Sequence, residues 1–426
     1  MFLSPFILTK IDIFCFKSLS LYNIPKINPA MKSNKLIRYF LTLIAAALAT
    51  SASGQSTREE NAAKEIERIM ENTNATGLSV AVVKDGKIIY NASFGKKNIE
   101  QGTSISNDDL FRIASISKSF TTTALMHLLD KGKIKLDQDV SDLIGFKMRN
   151  PKYPDVKITV KMLLSHTSSL NDSRGYFNLD VANPEKGEGY EKCWNEYEPG
   201  TKYEYCNLGF NTLGAVIEKL SGERFDQFVR RIVIEPLGLN ASFNVDSLDA
   251  SKFVSLYSYE AADTSKGAPM VYKIQPSAYV SRAAEIENGY VKGYSTPIFS
   301  PTGGMKISAG DLAKYMAMHM NYGKIPGTRT RIISAKSAKL MQSAVVETSP
   351  GETYGMALRQ STKLIPGEIM TGHTGSAYGL YSAMFFQPEK GFGIVMMTNG
   401  CRPVYKDGFV TIQSEVIRAL LQYFYC

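Results

Sequence analysis

The chain has 426 residues, 49 Lys and Arg against 40 Asp and Glu, and 44% hydrophobic residues, enough for one large domain or two lobes. Six of the basic residues and one acidic residue precede residue 55, so the remainder carries a formal charge of only +4 instead of +9. Its charges are dispersed without a Lys/Arg-rich run, which argues against a nucleic-acid surface.

From Met31 the sequence reads MKSNKLIRYFLTLIAAALATSASG, with Lys32, Lys35 and Arg38 ahead of an apolar run from Phe40 to Ala49. That is the layout of a secretory signal over 31–54. The apolar run, about ten residues, is too short to span a bilayer, and Ala52-Ser53-Gly54 offers small residues for cleavage. The expectation is an exported protein, periplasmic or secreted, without a membrane span. Residues 1–30 carry no comparable logic and read as a mis-assigned upstream start, which leaves 55–426 as the functional domain.

TREENAAKEIERIMEN, residues 57–72, has the spacing of an amphipathic helix. Asp85-Gly86 between two apolar runs in 77–98 predicts a β-hairpin. FRIASISK, residues 111–118, then places Ser115 three positions before Lys118. If Ser115 opens a helix, the two side chains share a face, and the amine can take the hydroxyl's proton once its own pKa is lowered. The Ser115 N–H, at a helix start, is free to meet an oxyanion. S-x-x-K also occurs at Ser93 and Lys96, but there it falls on or just after a strand, where the side chains point to opposite faces. Ile116, Phe120, Leu125, Leu128 and Leu129 recur at helical spacing until Gly132, which favours the second copy. Taken alone, the pair also fits a serine cap on an ordinary helix.

Thr159 is placed to cap a short helix ending near Leu164, and His166 after it reads as structural. Residues 171–200 form a long Gly-, Asn- and Pro-rich loop expected to border the substrate entrance. Trp194 within it reads as a packed side chain rather than a ligand-facing one. Helices follow from about Leu208 to Leu220, stopped by Ser221-Gly222, and over FDQFVRRIVIE before Pro236. Residues 241–299 look irregular and superficial. Ser308 opens another helix whose Met and Tyr positions, with His319, suit a core. TYGMALRQ and SAYGLYSAMFFQPEKGFGIVMMTNG return to strands, the latter a hairpin turning at Pro388 to Gly391, before a helix from about Asp407 to Tyr425. Strands at both ends with helices between them imply an α+β fold, one sheet built from distant segments with an inserted helical lobe and a site in the cleft between them.

Cys193, Cys206, Cys401 and Cys426 follow the leader and allow three disulfide pairings that sequence cannot separate. Neither they nor His127, His166, His319 and His373 show metal-ligand spacing, so no metal and no cofactor is expected.

SISK at 115–118, YCN at 205–207 and HTG at 373–375, in that order, resemble the penicillin-recognising serine hydrolases, specifically class C β-lactamases and related DD-peptidases and esterases. LLSHTSSL and SPTGGMKISAGDLAKYM are similar to phrases of the same family, and the motif set parallels S-x-x-K, S-D-N and K-T-G. The resemblance implies a β-lactamase/transpeptidase-like fold, a central antiparallel sheet flanked by helices. It implies Ser115 as nucleophile, Lys118 as its partner and Tyr205 as proton shuttle to the leaving group. Asn207 would bind the substrate amide and steady Lys118; His373, Thr374 and Gly375 would line the cleft on an edge strand. The Ser376 N–H would complete the oxyanion hole. A phenol of pKa about 10 would act as a base only with cations beside it, and Lys118, with His373 if protonated, are those the resemblance offers. His373 stands where β-lactamases of this group carry lysine, as in its DD-peptidases, and Ser169 stands where the family phrase has Gly. The implied partner is a small-molecule or peptide substrate whose amide or ester is cleaved through an acyl-serine.

Overall fold

The computed structural model describes residues 55–425; the expected signal at 31–54, residues 1–30 and Cys426 lie outside the described residues. A helix over 55–73 (α1) leads into β1 (Gly77–Lys84). Asp85 and Gly86, both at positive φ, turn it back as β2 (Lys87–Asn98), the primed-turn geometry that matches the twist of paired strands. After β3 (Thr103–Ser104) the chain leaves the sheet. It returns as β4 (Val346–Ser349), β5 (Glu352–Tyr354), β6 (Arg359–Ser361), β7 (Met370–Ala377), β8 (Leu380–Gln387) and β9 (Phe392–Gly400). The strand order is β3-β2-β1-β9-β8-β7-β6-β5-β4, antiparallel throughout, so the two ends of the domain meet at the β1–β9 pairing.

The central strands are apolar on both faces, which explains runs such as VAVV, AMFF and IVMM where a half-exposed strand would alternate. Ala81, Val83, Met384, Phe386, Val395 and Met397 point into one core. Val80, Val82, Ala383, Phe385, Ile394 and Met396 point into the other. The first core is closed by the inserted helices: α2 (Ser117–Asp130), α3 (Asn207–Ser221) and α4 (Ala309–Met320), with α4 lying directly on β1 and β9. The second is closed by α1 and the final helix α5 (Thr411–Phe424), through Ile66, Ile69, Val416 and Leu420. Each fully buried Phe on these faces contributes about 1.5–3 kcal/mol relative to exposure. The resulting architecture is the β-lactamase/transpeptidase-like one, a large antiparallel sheet flanked by helices.

Local physics accounts for the boundaries. Thr159 accepts the N–H of Met162 at 3.2 Å to cap Val160–Leu164, Ser308 caps α4 through Asp311, and Gly222 ends α3 in the left-handed conformation. Four expectations need correction. TYGMALRQ is two short strands, β5 and β6, joined by a turn with Ala357 at φ 63°. The helix after Phe225 passes at Arg230–Ile234 into a wider, π-type turn. The last helix starts only at Thr411, because Asp407-Gly408 first turns a small hairpin between Tyr405–Lys406 and Phe409–Val410. Residues 241–299 are not merely superficial: they form a hairpin, Tyr257–Ala261 with Met270–Ile274, and bury Phe243, Val254, Leu256 and Tyr257. Trp194 is packed, and Cys193, Cys206 and Cys401 are free thiols.

Candidate active site

Ser115 lies in a tight 3₁₀ turn, Ala114–Ile116, that runs on into α2. It therefore precedes the α-helix rather than opening it, but the expected neighbour is in place. The Lys118 Nζ stands 3.1 Å from Ser115 Oγ. Ala114 enters the turn at φ 48°, sparsely populated for a residue with a Cβ, so the turn is held by its surroundings. One support is β7. A Cβ at Gly375 would lie 2.3 Å from the Ile113 carbonyl oxygen and 2.3 Å from Ser382 Oγ, so only glycine lets the Ser115 turn rest on the sheet. Ser382, opposite Gly375 in the register, donates to that same Ile113 carbonyl at 3.0 Å.

Lys118 is fully buried, and its amine also meets Asn207 Oδ1 at 2.8 Å and the Thr302 carbonyl at 3.0 Å. Burial pulls its pKa down to about 7, against the nearby Asp172 carboxylate, which favours the charged form. A substantial share of the amine is thus neutral near pH 7 and able to accept a proton.

Asn207 Oδ1 also accepts from Thr302 Oγ1 at 2.7 Å, while its Nδ2 donates to Asp172 at 2.8 Å. Asp172, from the loop that follows the Val160–Leu164 helix, takes the backbone N–H groups of Asn207 and Leu208 at 2.9 and 3.0 Å. It caps α3 from a distant segment, satisfying helix-terminal donors that Cys206, at the cap position, leaves free. His166, at φ 58°, accepts the Cys206 N–H at 3.1 Å through Nδ1 and packs its ring 4.3 Å from that of Tyr205. The YCN segment is thereby fixed from both sides. Cys206 also donates to Asp172, and neighbouring Ser169 holds φ 62°, a backbone conformation that suits glycine better.

The Tyr205 ring lies under the Lys118 amine, 4.7 Å from Nζ to its centroid, and its buried hydroxyl has no hydrogen-bond partner among the described residues. Burial drives its pKa above 10, with Ser115 the main group opposing that shift. Resting Tyr205 is therefore a phenol that can donate a proton. His373 does not provide the second cation that the sequence allowed for. It is buried, its pKa pressed to about 3 by burial and then by Lys118, so it is neutral at pH 7. Its Nδ1 faces the Thr374 carbonyl at 2.5 Å and so carries the proton, leaving Nε2 to accept from the Tyr354 hydroxyl at 3.1 Å.

The HTG strand is not the outermost one. β6 pairs only with Met370, Thr371 and Gly372, however, so residues 373–377 have a strand on one side alone and present a free edge locally. That edge borders a cleft of about 460 Å³ lined by Ser115, Tyr205, Asn207, His373, Thr374 and Ser376. Lys118 lies beneath it and Gly375 behind it, so all eight candidate residues converge. Ser93 and Lys96 sit elsewhere on β2, bonded to Ser79 and to Gly102. The loop 171–200 contributes no lining residue; its part in the site is Asp172. Of the cations that line the cleft, Arg359 pairs with Glu352 of β5, itself a lining residue, and Lys363 forms no ion pair among the described residues. Asp172, Thr302, Tyr354 and Arg359 were not singled out by the sequence; Thr302 lies within SPTGG, part of a family-like phrase, and the other three belong to no recognisable spacing. Among the described residues no cluster of three or more His, Cys, Asp or Glu is placed to hold a metal, and no helix is long and apolar enough to cross a membrane.

Comparison with known proteins points the same way. The family described as Beta-lactamase matches residues 62–408. Penicillin-binding protein 4 of Amycolatopsis lactamdurans is 29% identical over 76% of this chain and 81% of its own. Protein flp of Staphylococcus aureus strain MRSA252 is 24% identical over 78% of this chain but 61% of its own length. The octameric penicillin-binding protein homologue from Pyrococcus abyssi superposes with a TM-score of 0.65 at 26% identity, covering 85% of this chain and 77% of that one. EstCE1, described as a hydrolase with promiscuous acyltransferase activity, gives 0.64 at 22% identity over 85% and 99%.

Proposed function

The chain belongs to the Beta-lactamase family, and on that premise we propose that it is an exported serine hydrolase of the class C-like branch that cleaves an amide or ester through an acyl-Ser115 intermediate. The observation that carries this reading is the 3.1 Å approach of Lys118 Nζ to Ser115 Oγ in a site where burial brings the amine's pKa to about 7. Neutral Lys118 accepts the hydroxyl proton as Oγ bonds to the substrate carbonyl carbon. The N–H groups of Ser115 and Ser376 receive the oxyanion; losing one such donor costs about 3 kcal/mol of transition-state stabilisation. As the tetrahedral adduct collapses, the leaving nitrogen or oxygen takes the Tyr205 phenol proton, which Lys118 restores. Water then attacks the acyl ester, giving up its proton to the same Tyr205–Lys118 pair, and Ser115 leaves reprotonated.

With His373 neutral and Arg359 paired to Glu352, a substrate carboxylate in this cleft meets Lys363 instead of a lysine in the third motif. This favours a D-amino-acid peptide or peptidoglycan fragment with a terminal carboxylate, in keeping with the penicillin-binding relative. Non-lactam esters and amides come second and β-lactams third. A penicillin-binding or sensor module that acylates without turnover is the alternative from another class; the joint presence of Ser115, Lys118 and Tyr205 at the cleft speaks against it. The test is turnover of a D-alanyl-D-alanine peptide, a depsipeptide thioester and a penicillin by the parent and by Ser115→Ala. Peptide or thioester hydrolysis lost in Ser115→Ala is expected. Stoichiometric penicillin labelling with no turnover of any substrate would establish the sensor reading instead.

A further inference from the structure

Beyond the nucleophile turn lies a second cavity, of about 200 Å³, whose walls owe nothing to the three motifs. Its floor holds two buried cations. Arg112, three residues before Ser115, is 8% exposed, and Lys306 is 4% exposed. The short strands that carry them pair directly, Arg112 opposite Lys306. Buried charges ordinarily have a counter-ion, yet here each is held only by neutral groups. Arg112 donates to the Gly303 and Ala278 carbonyls at 3.0 and 3.1 Å and lies 4.9 Å from the Tyr378 ring centroid. Lys306 donates to the Phe243 carbonyl at 2.8 Å. Neither forms an ion pair among the described residues, and no carboxylate lines the cavity. A third cation, Arg282, stands at the mouth, paired with Glu285 outside it. Apart from Ser277 and Ser300 the remaining wall is largely apolar, with Phe243, Val245 and Phe299 inside and Phe177 and Val280, both about half exposed, at the rim.

We propose that this cavity is an anion site for a small organic carboxylate with an apolar body. A carboxylate reaching the floor would accept from the unused donors of Arg112 and Lys306 while its hydrocarbon part displaces water from the aromatic wall. Burial lowers the Lys306 pKa, and so do the Arg112 and Arg282 charges, against the Asp246 and Asp226 carboxylates outside the cavity lining; an anion in the cavity would oppose that pressure. The carboxylate belongs either to a free ligand or to the acyl part of a molecule under attack at Ser115, since Arg112 and Tyr378 flank the nucleophile turn and the end of β7.

The test uses the purified full-length protein and two probes, benzoate and its neutral analogue benzamide, titrated by calorimetry. Benzoate binds at least tenfold more tightly than benzamide, and Lys306→Met removes that preference. Val280→Glu, an exposed change that sets a negative charge at the mouth and leaves the floor packing alone, weakens benzoate at least fivefold, so the outcome does not depend on Lys306→Met folding. Equal affinity for the two probes, no benzoate binding, or benzoate binding unaltered by Val280→Glu and Lys306→Met would overturn the proposal. Two p-nitrophenyl esters separate the sources. Should the mono-glutarate ester be favoured over the valerate ester, and the preference vanish in Lys306→Met, the carboxylate sits on the acyl group. With both esters turned over alike and benzoate still bound, it is a free ligand. Neither calorimetric result depends on Ser115, so its failure is distinct from failure of the hydrolase reading.

Discussion

Asp172→Asn probes how a loop residue governs the Lys118 amine, which it does not touch. The aspartate accepts four bonds: two from Asn207, one from the Leu208 N–H and one from the Cys206 thiol. An asparagine keeps one oxygen as acceptor and turns an NH2 toward the donors on the other side. At least one charge-assisted bond is lost, about 1.5–3 kcal/mol. Removing a negative charge from the start of α3 costs about 0.5–1 kcal/mol more. The sum, about 2–4 kcal/mol, corresponds to a Tm fall of about 4–8 °C at roughly 2 °C per kcal/mol in a domain this large. A second, independent effect concerns Lys118. Asp172 is the main group holding its pKa up against burial, so neutralising it moves that pKa further down. The acid limb of kcat/KM, measured by ester hydrolysis at several pH values, should then shift to lower pH while the plateau falls through the loosened Asn207. A melting temperature within 1 °C of the parent together with an unmoved acid limb would show that Asp172 neither caps α3 nor sets the field at Lys118.

The parent itself should show kcat/KM rising with pH to a plateau through a limb near 7. Lys118 must be neutral to accept the Ser115 proton, and its pKa is about 7 instead of 10.5, so activity is lost as pH falls below that value. Lys118→Arg, which stays protonated, should lower kcat at least a hundredfold, with thermal melts reporting the fold separately. Gly375→Ala drives a methyl into the Ile113 carbonyl and Ser382; about 1–3 kcal/mol of overpacking is expected in urea melts, with kcat falling as the nucleophile turn is displaced. Tyr354→Phe strands the buried acceptor Nε2 of His373 and should cost about 1–3 kcal/mol, visible in the same melts.

The Ser115–Lys118 pair could be read from short-range rules, a three-residue helical spacing and a glycine stop, whereas YCN and HTG stood out only through their resemblance to a family. VAVV, AMFF and IVMM, apolar without alternation, belong to strands buried on both faces, a feature the hairpin reading of these runs did not draw out. What escaped depends on where distant segments stop. HTG faces a cleft because β6 pairs no further than Gly372, and nothing in the HTG residues encodes the length of another strand. Asp172 reaches α3 from a loop 35 positions before Asn207, without periodicity to mark it. The protonation of His373 could not be assigned from its identity, since burial beside Lys118 decides it. The buried Val254, Leu256 and Tyr257 were hidden in a stretch whose composition resembles a surface loop.

The measurement that bears most directly on the account is peptide mapping by mass spectrometry of the protein quenched within its first turnovers of a D-alanyl-D-alanine thioester. The account predicts an acyl mass on the peptide containing Ser115, appearing before product accumulates, decaying as substrate is spent, and absent from Ser115→Ala. Product formation with no adduct at Ser115 and undiminished turnover by Ser115→Ala would contradict it.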